Sequence, residues 1–395
     1  MSGGTSRDRR ARGIDDWLSE RASERRAAGL ERRLPDPSAD DVVDLAGNDY
    51  LGFARDPRVV KAASAAAEAW GAGAGASRLV TGTLAVHQAL ETALAEWTGR
   101  TAAVALSTGY HANLAAVTAL TDEDTVIVSD AHVHASLIDA CRLSRGTVRV
   151  VAHNDVAAVD AALRERSRPR ALVVVESIYS VLGDAAPLAE LAAICARHEA
   201  VLLVDEAHGI GVAGEGGRGL VHEAGLSDAG DVVVTATLSK ALGSQGGAIL
   251  GSPAVIDQVV NTARPFIYDT GLAPAAAGAA TEALAILASD DAGGTSLHEA
   301  KRSAWGTVAR LRQVAQALGA RVGASPAGAV MSVPMPGPAE ALAAQAQCRA
   351  SGVLVGCFRP PSTPDGSSRL RITASARLSD ADLARALDVL GEVLA

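Results

Sequence analysis

Lysine is nearly absent from this chain. It stands only at 61, 240 and 301 among 36 basic residues, and arginine supplies the rest. Aromatic residues make up 3% of the sequence. The four cysteines, Cys141, Cys195, Cys348 and Cys357, form no Cys-x-x-Cys pair and have no histidine companion at metal-ligand spacing. That excludes a disulfide scaffold, gives no metal site, and leads us to expect reduced thiols in a cytoplasmic chain. No apolar core follows the Arg-rich N-terminus, so a signal peptide is not expected. The longest apolar stretch, from Leu272 to Ala288, contains Glu282 and many alanines. It predicts a buried helix and not a membrane span. A net charge of −9 disfavours nucleic acid as the main partner.

What is present is aliphatic and alternating. The 395 residues are 48% hydrophobic and exceed what one simple core holds. Residues 1–12 are polar and read as disordered. Ile14, Trp17, Leu18 and Ala22 recur at helical spacing and predict an amphipathic helix lying on something larger. Runs at Ala102–Leu106, Thr125–Val128, Val148–Val151, Ala171–Val175, Val201–Val204, Val232–Val234 and Ala248–Leu250 read as strands. They lack polar alternation, and Ala/Leu-rich helices such as Leu84–Trp97 and Leu188–His198 lie between several of them. That pattern means an α/β fold with a mainly parallel sheet covered on both faces. Three parts follow: an N-terminal helical segment (1–47), a large α/β domain (48–285) and a small C-terminal α+β domain (286–395), whose last helix Ser379 caps.

Two strand ends carry chemistry. Val232-Val-Val-Thr-Ala-Thr-Leu-Ser-Lys240 delivers one of the three lysines to the end of a strand. A lysine amine bonds covalently to an aldehyde cofactor; arginine does not. Val201-Leu-Leu-Val-Asp205-Glu-Ala-His208-Gly209 delivers an acid and a histidine to another strand end, where open α/β sheets bind ligands. A buried carboxylate needs a cationic or hydrogen-bonding partner, and a pyridinium N–H supplies one. Asp205 and Lys240 together describe a pyridoxal 5′-phosphate site. A nucleotide-driven enzyme with an Asp-Glu-Ala-His box would need a GxxxxGK[ST] phosphate loop, and the chain has none.

At these residues the chain resembles the α-oxoamine synthases, enzymes of the fold type I pyridoxal phosphate class. The resemblance runs from about Leu30 to the C-terminus. It rests on Asn48-Asp-Tyr-Leu-Gly52, Ser77-Arg-Leu-Val-Thr-Gly82, His87-Gln-Ala-Leu-Glu91, Gly109-Tyr110 with Asn113, His134-Ala-Ser136, His153-Asn-Asp155, Asp205-Glu-Ala-His-Gly209, Thr237-Leu-Ser-Lys240 and Arg369-Leu-Arg-Ile-Thr373. It implies that Lys240 bonds the cofactor and moves a proton, and that Asp205 faces the pyridine nitrogen. His208 and Ser180 would lie near the phenolic oxygen, and His134 would stack on the ring. Gly109, Tyr110, Thr237 and Ser239 would surround the phosphate. Thr270 would reach the phosphate of a neighbouring subunit, which implies a homodimer. Arg371 would clamp the substrate carboxylate, and Arg32, Arg359 and Ser362 would lie near the acyl substrate. His111 and His132 read as structural, and Arg78 as holding its loop.

The resemblance also implies a reaction: decarboxylative condensation of L-alanine with a pimeloyl thioester, carried by coenzyme A or a carrier protein. Other members use glycine or longer acyl chains, and Ser77, where glycine-using relatives have threonine, leaves room for the alanine methyl. An aminotransferase, or a non-catalytic partner subunit of the same fold, is the remaining alternative; Lys240 speaks against the latter. Three departures stand out. Leu182 replaces an acid and puts local rigidity in doubt. Ala76 adds a methyl where relatives have glycine and is expected to narrow a pocket. Ser362 keeps a hydroxyl where threonine is usual.

Overall fold

The central aliphatic runs pair within one seven-stranded sheet because each has two apolar faces to bury, whereas the run Val148–Val151 forms an edge strand that leaves Val148 and Val150 exposed. In the structure, a computed structural model that describes residues 13–34, 42–289 and 295–395, the strands are β1 (Val43–Leu45), β2 (Ala102–Leu106), β3 (Thr125–Asp130), β4 (Thr147–Val151), β5 (Arg170–Glu176), β6 (Val201–Asp205), β7 (Val232–Thr237), β8 (Gly247–Gly251), β9 (Val330–Met335), β10 (Val353–Phe358) and β11 (Ser368–Thr373). The large sheet has the order β2-β8-β7-β6-β5-β3-β4. Only β8 runs against its neighbours; the remaining pairs are parallel. The fold is α/β, as expected.

Period-two side-chain alternation divides each central strand between two cores. Val173, Val175, Leu202, Val204 and Val234 pack on one face. Leu172, Val174, Leu203 and Val233 pack on the other. Each such side chain contributes about 1.5–3 kcal/mol when fully buried. This is why the sequence shows unbroken aliphatic runs here. The helix Pro274–Ala288 is buried through Ala277, Ala280, Ala283, Leu284 and Leu287. Its Gly278 lets it approach the helix Pro57–Trp70, because a Cβ there would stand 2.7 Å from the Ala66 Cβ. Among the described residues, no helix is long and apolar enough to cross a membrane.

The C-terminal part builds its own sheet, β1-β10-β11-β9, over a third apolar cluster. Its first strand comes from near the N-terminus: Val43 pairs with Val353 and Leu45 with Val355. Residues 43–45 thus pair with the C-terminal sheet, although the sequence placed them in the N-terminal helical segment. Ser379 caps the last helix, Asp380–Val393, through a reciprocal box with Asp382.

The amphipathic N-terminal helix forms over Ile14–Ala27, but none of its residues is buried. Ile14, Trp17 and Leu18 are exposed, so the described residues of the chain do not supply the expected covering surface. The expectation for residues 1–12 lies outside the described residues.

Candidate active site

The parallel strands deliver their last residues to one edge of the sheet. Glu176, Asp205 and Thr235 stand in one row across β5, β6 and β7. Asp205 is buried. Its Oδ2 accepts from Asn113 Nδ2 at 2.8 Å and its Oδ1 from the Ala207 amide at 2.9 Å. Asn113 also donates to Ser136 Oγ and accepts from Thr235 Oγ1. Ser136 Oγ lies 2.7 Å from His134 Nδ1. A hydrogen-bonded network therefore joins the acid at the end of β6 to the histidine that caps the helix Ala135–Leu143.

Lys240 follows β7 and turns back toward β6. Its Nζ lies 2.8 Å from His208 Nε2. His208 Nδ1 lies 2.8 Å from the Tyr50 hydroxyl. That hydroxyl is 3.0 Å from Asn48 Oδ1, which also accepts from Nη1 and Nη2 of Arg371 at 3.2 Å. Arginine only donates, so the Asn48 atom is the oxygen. Tyr50 must donate to it, and His208 Nδ1 must therefore carry its own proton. His208 Nε2 is left as an acceptor for Lys240. The reacting amine and the guanidinium are thus joined by a chain of hydrogen bonds whose donors converge on Asn48 Oδ1 from both ends.

The electrostatics follow from burial. Burial lowers the Lys240 amine to about 8, the Arg371 charge acting the same way against Asp205. His208 is held well below its ordinary range by burial and by the charges of Lys240 and Arg371. Glu176 is pushed up to about 8 by burial and by Asp205. It accepts from both the amide and the hydroxyl of Ser180. The Ser180 carbonyl in turn accepts from Arg371 Nε at 2.7 Å.

Asn48, His208, Lys240 and Arg371 border a cavity of about 240 Å³, as does His132, which the sequence read as structural. Of the residues singled out from the sequence, His134, Ser180, His208, Lys240, Ser362 and Arg371 line it. Gly109 and Tyr110 open the helix Gly109–Leu120, capped by Thr108, and a Cβ on Gly109 would come within 3.0 Å of the Thr237 Cβ. The helix start beside Thr237 could hold a phosphate. Ser239 hydrogen-bonds within the same turn, its amide donating to Thr237 Oγ1. The Tyr110 hydroxyl donates to Asp139 and its ring is exposed.

Several residues lie elsewhere. Arg359 is committed to the carbonyls of Gly29 and Glu31 and does not line the cavity. It anchors the N-terminal segment, and Arg32 from that segment donates to Ser362 Oγ at 3.2 Å. Thr270 is exposed and bridges to Ser77, away from the Lys240 cavity. Ala76 and Ser77 are also outside that lining, so the Ala76 methyl does not narrow the cavity of its own chain. Arg78 pairs with Glu91 at 2.8 Å and does hold its loop. Leu182 packs against the large core, while Gly183 takes the positive φ of 84° and bonds back to the Tyr179 carbonyl. An apolar contact stands where the resemblance led us to expect an acid.

Sequence reasoning did not assign Asn48, Tyr50, Asn113, Ser136, Glu176 or Thr235 to the site. Four of them sit inside the quoted motifs. Glu176 carries the signal that found Asp205, an aliphatic strand ending in an acid.

The set fits pyridoxal phosphate. An amine at the cavity edge, a buried carboxylate with no ion-pair partner among the described residues, and a glycine helix start beside Thr237 match its aldehyde, ring nitrogen and phosphate.

Comparison with known proteins identifies the family. The aminotransferase class I and II family matches residues 40–390. The 8-amino-7-oxononanoate synthase of Mycolicibacterium gilvum is 52% identical over 96% of this chain and 97% of its own length. That of Mycobacterium marinum is 51% identical over 96% and 94%. Among solved structures, a serine palmitoyltransferase of S. paucimobilis with a bound PLP–myriocin adduct superposes with a TM-score of 0.85 at 29% identity, covering 98% of this chain and 99% of that one. The Sphingomonas wittichii serine palmitoyltransferase gives 0.84 at 31% identity, covering 96% of each chain. With Asp205 and Lys240 at the ends of β6 and β7 and Arg371 facing the same cavity from β11, the chain belongs to the aminotransferase class I and II family, alongside the 8-amino-7-oxononanoate synthases.

Proposed function

We propose that the chain is a pyridoxal phosphate-dependent C-acyltransferase that condenses L-alanine with a pimeloyl thioester, giving 8-amino-7-oxononanoate, carbon dioxide and free thiol in biotin biosynthesis. The observation that carries this reading is the hydrogen-bonded chain from Lys240 through His208, Tyr50 and Asn48 to Arg371. It sets a proton-carrying amine and a carboxylate-binding guanidinium at the same cavity. The 52% identity to 8-amino-7-oxononanoate synthases supports the choice of substrates.

Pyridoxal phosphate supplies an electron-poor ring that draws charge from the amino acid's α-carbon. Lys240, Asp205, Thr237 and the start of the helix Gly109–Leu120 would hold it. Arg371 binds the alanine carboxylate through a bidentate contact. Lys240 Nζ takes the α-proton and later returns one; an amine held at about 8 is available as a base near neutral pH. His134 stands ready to donate to oxygen charge developing on the acyl carbonyl. A carbon–carbon bond forms between alanine Cα and that carbonyl carbon, the thiol leaves, and the carboxylate departs as carbon dioxide.

We infer a homodimer. The Ser77–Thr270 bridge lies away from the cavity of its own chain, with Leu79, Val80 and Tyr268 exposed around it, and the apolar face of the helix Ile14–Ala27 is uncovered. On this reading Thr270 serves a second copy's phosphate. The free cysteines favour a cytoplasmic setting.

The test is a spectral titration of the purified holoenzyme with product analysis. L-alanine should change the cofactor absorption, and carbon dioxide and thiol should appear only when pimeloyl thioester is added. A response to glycine and none to alanine overturns the substrate assignment.

A further inference from the structure

We propose that His153 is a positioning residue, a doubly protonated imidazole that clasps the two walls of the active-site cavity together. It lies just past β4, outside the cavity lining itself, and touches that lining through His132. Its Nδ1 is 3.0 Å from Asp130 Oδ1 and its Nε2 is 3.0 Å from Asp184 Oδ2. Ionised carboxylates only accept, so both ring nitrogens must donate, and the ring is an imidazolium. Burial opposes that charge, but the two carboxylates outweigh it and raise the group to about 9.

The other groups facing the ring are consistent with a single cation there. Tyr179 packs edge-on at 4.3 Å and His132 lies 4.8 Å away. His132 is pushed down by burial and by the His153 charge. Asn154 donates its amide N–H to Asp130 and its side-chain N–H to Asp184.

Each carboxylate belongs to a different wall. Asp130 ends β3, and four residues later His134 caps its helix and faces the cavity. Asp184 lies four residues beyond Ser180, whose carbonyl holds Arg371 Nε. One cation therefore ties the His134 wall to the wall that aims Arg371. Without it, two mostly buried acids lose their shared partner and both walls lose an anchor.

The test uses the full chain. With ¹⁵N-labelled histidine, NMR at pH 7 should find one imidazole protonated at both nitrogens that persists to about pH 8 or above. This signal should vanish in His153→Gln and titrate at lower pH in Asp184→Asn. A neutral imidazole at His153 at pH 7 overturns the proposal. The kinetic arm rests on the proposed function: KM for L-alanine should rise about tenfold in His153→Gln, with a smaller change in kcat. In Asp184→Asn the alkaline rise in KM should begin about one pH unit lower than in the native enzyme. An unchanged KM and pH profile in both variants overturns the positioning role. A wrong substrate assignment silences the kinetics of the native enzyme too, while leaving the NMR result intact.

Discussion

Asn48 Oδ1 accepts hydrogen bonds from both terminal nitrogens of Arg371, at 3.2 Å each. An asparagine holding a guanidinium in this way keeps it flat and oriented until a carboxylate arrives. Arg371→Lys keeps the charge and loses the two-pronged contact. It should raise KM for the amino acid by roughly 10–150-fold, the equivalent of about 1.5–3 kcal/mol for a charged hydrogen bond. Steady-state kinetics over a range of L-alanine concentrations reads this directly.

Lys240 has the sharpest chemical prediction. Lys240→Ala should remove covalent attachment of the cofactor, seen as loss of the mass increment after borohydride reduction. Turnover should fall by at least about 10²–10⁴-fold, the usual contribution of a positioned acid–base group. With three lysines in the chain, pH-dependent amine labelling of the cofactor-free protein can be assigned by peptide. The Lys240 midpoint should lie at about 8. Arg371→Gln should raise it, because the Arg371 charge is one of the terms that lowers it.

Asn113 is the hub beneath the acid. It bonds Asp205, Ser136 and Thr235 at once, and all four residues are buried. Asn113→Ala leaves these groups short of partners and should cost about 1–3 kcal/mol of stability. Equilibrium unfolding of the cofactor-free chain measures it. Cofactor affinity should fall as well, since Asp205 loses its orientation.

Gly109→Ala tests the phosphate cradle. The new Cβ would stand 3.0 Å from the Thr237 Cβ and 3.2 Å from its hydroxyl. Affinity for pyridoxal phosphate, followed by fluorescence titration of the cofactor-free protein, should drop, while the melting temperature without cofactor should change little.

The pH dependence of stability carries the mark of His153. Its folded-state pKa of about 9 lies above the ordinary 6.5. The stabilisation is therefore complete below about 6.5 and is lost as pH rises through about 9. Thermal melts of the native chain should fall across that window, and those of His153→Gln should fall less.

The sequence by itself determined the strands and the reactive pair. Runs such as Ala171–Val175 and Val201–Val204 are legible because strands buried on both faces need apolar residues at every position, and that composition survives without any knowledge of neighbours. Lys240 and Asp205 are legible because each ends such a run with the wrong polarity for a core. The tertiary structure alone decided the rest. Arg359 looked like a substrate contact, yet its partners are carbonyls some 330 positions away; no local pattern encodes a contact of that range. β1 lay unread because three residues, Val43–Leu45, carry too little periodicity until Val353–Val355 pairs with them. Tyr50, Asn48 and Glu176 took their roles from the direction of hydrogen bonds between distant segments, and direction exists only once the chain has folded.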